Sequence, residues 1–254
     1  VKVRRAPLAG LRAGRASLPD DLRRYVTRVL RLQAGDALVV FDAACGLEAD
    51  AELAAALGDP DTLELLVREP RPARVTAPRP LVLLQGLAKG DKLDAIVRDA
   101  TELGATLVVL VETARSVVRL EGKRREERAA RLRKIAEEAA RQCGRGDAPA
   151  VVGPLPLGEA LALAPEGGRF ALAPGAAEPL GRGLEARLGA ALTFAVGPEG
   201  GLTDGELGEL EAAGFARVSL GPFVLRTETV VAAVLGAVRV LDAARDLEAA
   251  APGG

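Results

Sequence analysis

LTFAVGPEGGLTDGELGELEAAG, residues 192–214, passes from an uninterrupted apolar run through a glycine-rich loop into a segment of helical spacing. Leu192–Val196 has the length and composition of a buried strand. Thr203 and Glu206 stand at the Ser/Thr-x-x-Glu spacing of a capping box, so a helix starts there. The loop between them therefore lies at the carboxyl end of a strand, the edge where open α/β sheets bind ligands. Its Pro-Glu-Gly-Gly core also occurs at 165–168, but there it follows an Ala- and Leu-rich helical stretch and precedes the apolar run RFALA. That earlier copy is a helix-to-strand connection on the opposite edge, and only the later one is placed for a ligand.

The later loop puts Glu199 near a helix N-terminus, where an incoming phosphate would meet a like charge. It also lacks the Gly-Lys-Ser/Thr or Gly-x-Gly-x-x-Gly patterns of phosphate cradles. Glycines let backbone groups approach a flat ligand closely, and the carboxylate favours a neutral or cationic one. A structural turn explains the loop equally well when it is taken alone. A second loop strengthens the ligand reading. SLGPFVLRTETVVAAVLGAV, residues 219–238, again runs from an apolar segment through Gly-Pro into a helix, with Arg226, Thr227, Glu228 and Thr229 crowded at the entrance. Capping accounts for Thr227 and Glu228. It does not account for Arg226, a cation that the helix dipole disfavours at an N-terminus.

Working outward, residues 81–248 alternate short apolar runs with helical stretches at Lys92–Leu103, Lys123–Cys143 and Thr203–Ala213, ending in a long apolar helix from about Thr229. Such alternation predicts an α/β domain with a mostly parallel sheet wrapped by helices. Gly104 and Gly214 fall one residue past helical runs, where a left-handed cap wants glycine. PRPARVTAPRP, residues 70–80, carries four prolines and reads as a linker, its core at 73–80. Residues 1–72 form a smaller β-rich module that contains a helix through Leu22, Val26, Val29 and Leu30, and 249–254 a flexible tail.

The chain has 254 residues, enough for two modest domains with real cores. It has no histidine, which excludes Ser-His-Asp and Cys-His catalysis, and no metal-ligand spacing. Cys45 and Cys143 read as buried structural thiols. No apolar run is long enough to span a membrane and no secretory leader is evident, so a cytoplasmic protein is expected. Net charge is −1 but unevenly spread: residues 1–35 hold nine Arg and Lys against two Asp, whereas residues from 150 onward hold seven Arg against thirteen Asp and Glu. A basic front suits contact with a polyanion, and solvated helix faces explain it as readily.

The two glycine loops together resemble the SPOUT (trefoil-knot) methyltransferases, and most closely the RsmE family, which methylates N3 of a uridine in bacterial 16S ribosomal RNA. GPEGGLT at 197–203 and LGPFVLRTET at 220–229 look like its two signatures. KGDKLDAIVRDATELGA at 89–105, ETARSVVR at 112–119 and EEAARQCGR at 137–145 resemble its other blocks, and YVTRVLRLQAGDALVVFD at 25–42 is similar to a PUA-like RNA-binding β-barrel. The resemblance implies a C-terminal SPOUT knot, a homodimer acting on 16S rRNA within the small ribosomal subunit, no metal, and S-adenosylmethionine as cofactor. By position it places the cofactor against Leu172, Ala173 and Pro174; Gly197, Pro198, Glu199, Gly200 and Gly201; and Leu220, Gly221, Pro222, Val224, Leu225, Thr227 and Thr229. Three positions depart from the family pattern: Tyr25 replaces a common His, Asp99 a common Lys, and Phe223 a common Arg.

The imide N3 of uracil must lose a proton before its lone pair can attack a sulfonium methyl. Glu199 or Glu228 could take that proton, while Arg226 could stabilise the uracil oxygens as negative charge builds. Arg28, Arg31, Lys89, Lys92, Arg115, Arg119, Gln142 and Arg145 are candidates to face RNA, and Tyr25 and Phe223 to stack a base. Remaining alternatives are another SPOUT enzyme acting on tRNA or a ribose 2′-hydroxyl, a non-catalytic RNA-binding protein, and an α/β enzyme with a nucleotide cofactor.

Overall fold

A computed structural model describes residues 4–117 and 122–250. Two compact units divide the chain. One takes residues up to Thr76 together with Ala140–Ala148; the other takes Ala77–Ala139 and the chain from Pro149 onward.

The first unit contains β1 (Arg5–Pro7), β2 (Gly14–Ser17), α1 (Asp20–Arg24), β3 (Ala37–Asp42), β4 (Leu47–Ala56), β5 (Asp59–Val67) and β6 (Arg71–Pro72). They form one barrel-like sheet of order β1-β3-β4-β5-β2, with β6 on β4; β1 runs parallel to β3 and the other pairs are antiparallel. Alternate residues Leu38 and Val40, then Ala49, Ala51 and Leu53, point into its core, as a half-buried strand requires. The start of the proline-rich segment is thus an edge strand, where a missing N–H is tolerated.

Two expectations need correction here. The helix through Leu22 and Val26 buries both, but it widens into a π-turn at Tyr25–Val29 closed by Leu30 N–H on the Tyr25 carbonyl at 3.0 Å. The extra residue per turn rotates Val29 off the apolar face, leaving it 67% exposed. Both cysteines are exposed rather than buried. Desolvation and the Asp42 carboxylate push the Cys45 thiol up, away from reactivity.

The second unit contains β7 (Leu81–Gly86), α2 (Lys92–Glu102), β8 (Leu107–Glu112), most of α3 (Gly122–Cys143), β9 (Ala150–Pro156), α4 (Leu157–Leu161), β10 (Gly168–Leu172), β11 (Glu178–Pro179), α5 (Leu180–Glu185), β12 (Leu192–Val196), α6 (Asp204–Ala212), β13 (Ala216–Ser219) and α7 (Thr227–Ala250). Its seven strands run in the order β11-β13-β10-β12-β7-β8-β9 and every pairing is parallel. Interior strand β7 sorts its side chains by period two. Leu81 and Leu83 join one apolar layer with Ile96, Val231 and Leu235, while Val82 and Leu84 join the opposite one with Leu157, Leu207 and Leu210. Burial on both faces is why these strands read as continuous apolar runs. β9 was hidden by Gly153, Pro154 and Pro156, residues admissible because it lies at the sheet edge.

β10 and β12 are neighbours, registered from Gly168 against Leu192 to Leu172 against Val196. The Pro-Glu-Gly-Gly copy at 165–168 therefore enters β10 at the amino ends of the strands, and the copy at 198–201 leaves β12 at their carboxyl ends. Gly104 and Gly214 adopt φ of +91° and +83° and close their helices as expected. α7 begins at Thr227, two residues earlier than its apolar pattern suggested, with Val230 N–H donating to the Arg226 carbonyl at 2.9 Å. Farther along α7, Asp242 receives buried Arg79 in a two-pronged pair at 2.6 and 3.2 Å, anchoring the segment that leads into β7. Among the described residues no helix is long and apolar enough to cross a membrane.

Candidate functional site

The loops that leave β10, β12 and β13 converge at the carboxyl end of the sheet around a cavity of about 920 Å³. Leu172, Ala173 and Pro174 form one wall; Gly197, Pro198, Glu199, Gly200 and Gly201 form the second; Leu220, Gly221, Val224, Leu225 and Thr227 form the third. Residues spread over more than fifty positions in the chain are brought to one pocket by three parallel strands. Pro222 and Thr229 were expected on the third wall but do not line the cavity; both are exposed.

The middle loop is tightly fixed. A Cβ on Gly86 would lie 2.5 Å from Cδ of Pro198, and one on Gly197 would lie 2.7 Å from the Gly201 backbone, so only glycine allows these approaches. Gln85, wholly buried at the end of β7, donates from Nε2 to the Thr227 hydroxyl at 3.1 Å. Thr227 passes the contact on, its hydroxyl donating to the Gly197 carbonyl at 2.8 Å. Arg115 donates to the carbonyls of Gly200 and Leu202 at 2.9 and 3.2 Å. Thr203 and Glu206 close the predicted capping box, and Glu206 also accepts the Ala114 N–H at 2.7 Å. The loop is thereby held from β7, from the loop after β8, and from α7. Gln85 was missed in the sequence; its signal was an amide ending an otherwise apolar strand, LVLLQG.

Glu199 accepts the Lys92 ammonium at 2.8 Å and the Lys89 N–H at 3.1 Å. Burial pushes its carboxyl up, yet the Lys92 hydrogen bond and charge and the backbone N–H groups of Glu199 and Lys89 outweigh this and hold it below the ordinary glutamate value. It is thus a charged, committed group, poorly suited to accept a further proton. Glu228 is half-buried at the start of α7, does not line the cavity, and keeps one buried oxygen without a partner among the described residues. Arg226 lines the cavity and is exposed; no carboxylate pairs with it among the described residues, so its charge is free to act on a ligand.

The candidate RNA contacts divide sharply. Arg28, Arg31 and Gln142 are exposed in the first unit, Arg31 in the left-handed conformation at φ +55°. Lys89 is exposed in the second unit, whereas Lys92 and Arg115 are spent on the middle loop. Arg145 is only 4% exposed and grips Asp147 at 2.8 and 3.1 Å, so it stabilises its own loop rather than facing RNA. Arg119 lies outside the described residues. Asp99 pairs with neighbouring Arg98 at 2.8 Å. Tyr25 is half-buried against the core of the first unit, and the Arg141 guanidinium sits 4.1 Å over its ring. No group of three or more metal-ligating side chains is present among the described residues.

A family model described as RNA methyltransferase domain matches residues 75–239. Ribosomal RNA small subunit methyltransferase E of Bacillus subtilis is 32% identical over 225 residues, covering 84% of this chain and 85% of the relative. The protein of the same name from Synechocystis is 34% identical over 221 residues, covering 85% and 70%. Among solved structures, ribosomal RNA small subunit methyltransferase E from Neisseria gonorrhoeae, bound to S-adenosyl methionine, is 30% identical with a TM-score of 0.81 over 94% of this chain and 98% of that one.

Proposed function

The chain belongs to the ribosomal RNA small subunit methyltransferase E family and has its SPOUT fold, and from that premise we propose that it transfers a methyl group from S-adenosylmethionine to N3 of a uridine in 16S rRNA. The observation that carries this reading is the convergence of the three strand-end loops, Leu172–Pro174, Gly197–Gly201 and Leu220–Leu225, on one cavity. The cradle fits a flat ligand bearing positive charge: glycine backbone crowds one wall, and Glu199, which lines it together with Asp204, stays ionised. S-adenosylmethionine, when bound, supplies an electrophilic methyl on a sulfonium.

What the chain must supply is orientation, a positive charge and somewhere for the N3 proton. The Gln85–Thr227–Gly197 relay orients the cradle. Arg226 stands at the cavity without a carboxylate partner among the described residues and stabilises the uracil oxygens as N3 loses its proton. Of the two glutamates, Glu199 is assigned to hold the loop through Lys92, which leaves Glu228, next to cavity-lining Thr227 but not itself in the lining, to take the proton through one intervening water.

The protein acts on this reading as a cytoplasmic homodimer on RNA of the small ribosomal subunit. Val240 and Leu247 support a second copy: they are 70% and 75% exposed, stand one heptad apart on α7, and face away from the side buried by Val231, Val234, Leu235 and Val238.

Incubating the purified protein with labelled S-adenosylmethionine and small subunits from cells lacking this activity tests the reading. Labelled 3-methyluridine is expected in 16S rRNA with wild type and not with Arg226→Ala. Label on tRNA or on a ribose hydroxyl, with none on uracil, would overturn it.

A further inference from the structure

We propose that Phe223 is the base-stacking residue of this enzyme, a ring on which a nucleobase of the RNA substrate lies beside the methyl-donor cavity; this rests on the methyl-transfer reading above. The chain has six aromatic side chains, five Phe and one Tyr. Phe41, Phe170, Phe194 and Phe215 are all at most 4% exposed, and Arg141 covers the face of Tyr25. Tyr25 is half-buried, and Phe223 is the one aromatic side chain among the described residues that is largely exposed, at 79%.

Its position is specific as well as its exposure. Phe223 lines the cavity on the same loop as Arg226, three residues before it. Leaving a phenyl ring in water forgoes the burial that the other Phe side chains obtain, roughly 25 cal/mol per Å² of apolar surface. A flat π-face at the mouth of a pocket that must receive an extruded base suits stacking, which tolerates any base. The neighbouring guanidinium then meets the oxygens at the base edge. With Arg115 and Lys92 spent on the middle loop and Arg145 on Asp147, few side chains remain to hold the base, and a stacking platform fills that need.

The chain contains no tryptophan, so Phe223→Trp introduces a single, selectively excitable indole at the proposed contact. We expect its emission to be quenched when a uridine-containing RNA oligonucleotide is added with S-adenosylhomocysteine present. Phe223→Leu, which keeps an apolar side chain but no π-face, is expected to raise KM for RNA by roughly 5- to 150-fold, while Phe223→Trp retains the wild-type value. Because Phe223 also lines the cavity, calorimetric affinity for S-adenosylmethionine is measured alongside, and the rise in KM for RNA in Phe223→Leu should exceed any change in it. Unquenched Trp emission in the presence of bound RNA, or a wild-type KM in Phe223→Leu, would overturn the proposal. Conversion of Phe223→Leu to a monomer in sedimentation, with emission that responds to protein concentration instead of RNA, would assign the ring to a second copy and equally overturn it. Failure of the wild type to methylate rRNA would instead sink the methyl-transfer reading, and the fluorescence titration would still decide whether RNA touches Phe223.

Discussion

The Thr227 hydroxyl lies 2.8 Å from the Gly197 carbonyl, joining the first turn of α7 to the middle glycine loop, while Gln85 reaches the same hydroxyl from β7. All three groups are shielded from water, and removing the hydroxyl leaves the Gly197 carbonyl with only the Gln85 amide at 3.4 Å, while that amide keeps the Gly86 carbonyl at 2.9 Å. Thr227→Val is therefore expected to destabilise the protein by about 0.5–1.5 kcal/mol in urea unfolding. It should also weaken S-adenosylmethionine binding, and unchanged calorimetric affinity would count against the relay.

Glu199 and Lys92 provide a pH test. The folded carboxyl titrates below its ordinary value of 4.5, so the pair contributes stability that is fully present above that value and lost as pH falls through the lower folded value. Thermal melting of wild type and Lys92→Ala should therefore differ by a constant amount near neutrality and converge in acid, below the ordinary glutamate range. The pair is part-exposed, with side-chain exposures of 34% and 30%, so a modest difference is expected. A gap that widens on acidification would contradict the pairing. Glu199→Gln should raise KM for S-adenosylmethionine without moving the pH profile of kcat.

Gly86 has no room for a side chain, its would-be Cβ lying 2.5 Å from Pro198 Cδ and 2.8 Å from Pro198 N. Gly86→Ala must push the middle loop into the cavity, at a cost of about 1–3 kcal/mol. Loss of S-adenosylmethionine binding at preserved secondary structure, read by calorimetry and circular dichroism, is the expected outcome. Gly208, whose Cβ would meet nothing within 4 Å, serves as the control: Gly208→Ala should bind normally.

Arg226 acts on the substrate and not on the fold, because no carboxylate holds it among the described residues. Arg226→Ala should lower single-turnover methyl transfer by about 10²–10³-fold, the effect of deleting one donor to a developing oxyanion. Melting temperature and cofactor affinity should stay at wild-type values. A large loss of stability instead would mean that Arg226 is structural.

Much of this architecture is a local property of the chain. Period-two burial in β7, the Thr203–Glu206 box and the left-handed glycines at 104 and 214 are written within a few residues, because turn chemistry and apolar spacing act over one or two turns of backbone. The same locality let the flanks of the two Pro-Glu-Gly-Gly copies assign them to opposite sheet edges. It failed at β9, where prolines masked a strand tolerated only because it lies at an edge, and at Val29, which a π-turn carried to the surface.

Which charges and rings are available to a ligand was decided by tertiary structure alone. Arg145 and Arg226 were both candidates to meet the RNA substrate, yet one is buried against Asp147 and the other stands at the cavity with no carboxylate partner among the described residues. Glu199 meets Lys92 across 107 positions, and Gln85 meets Thr227 across 142. Tyr25 and Phe223 are both aromatic, and packing against the core of the first unit together with the Arg141 guanidinium, far along the chain, separates the covered ring from the open one. Sequence by itself determined where strands end, where helices begin and which loops carry glycine, since those follow from neighbours in the chain. Charge pairing and exposure follow from neighbours in space, and so only the folded chain could sort the seven described candidate RNA contacts and two candidate proton acceptors into groups that hold the site and groups left to work in it.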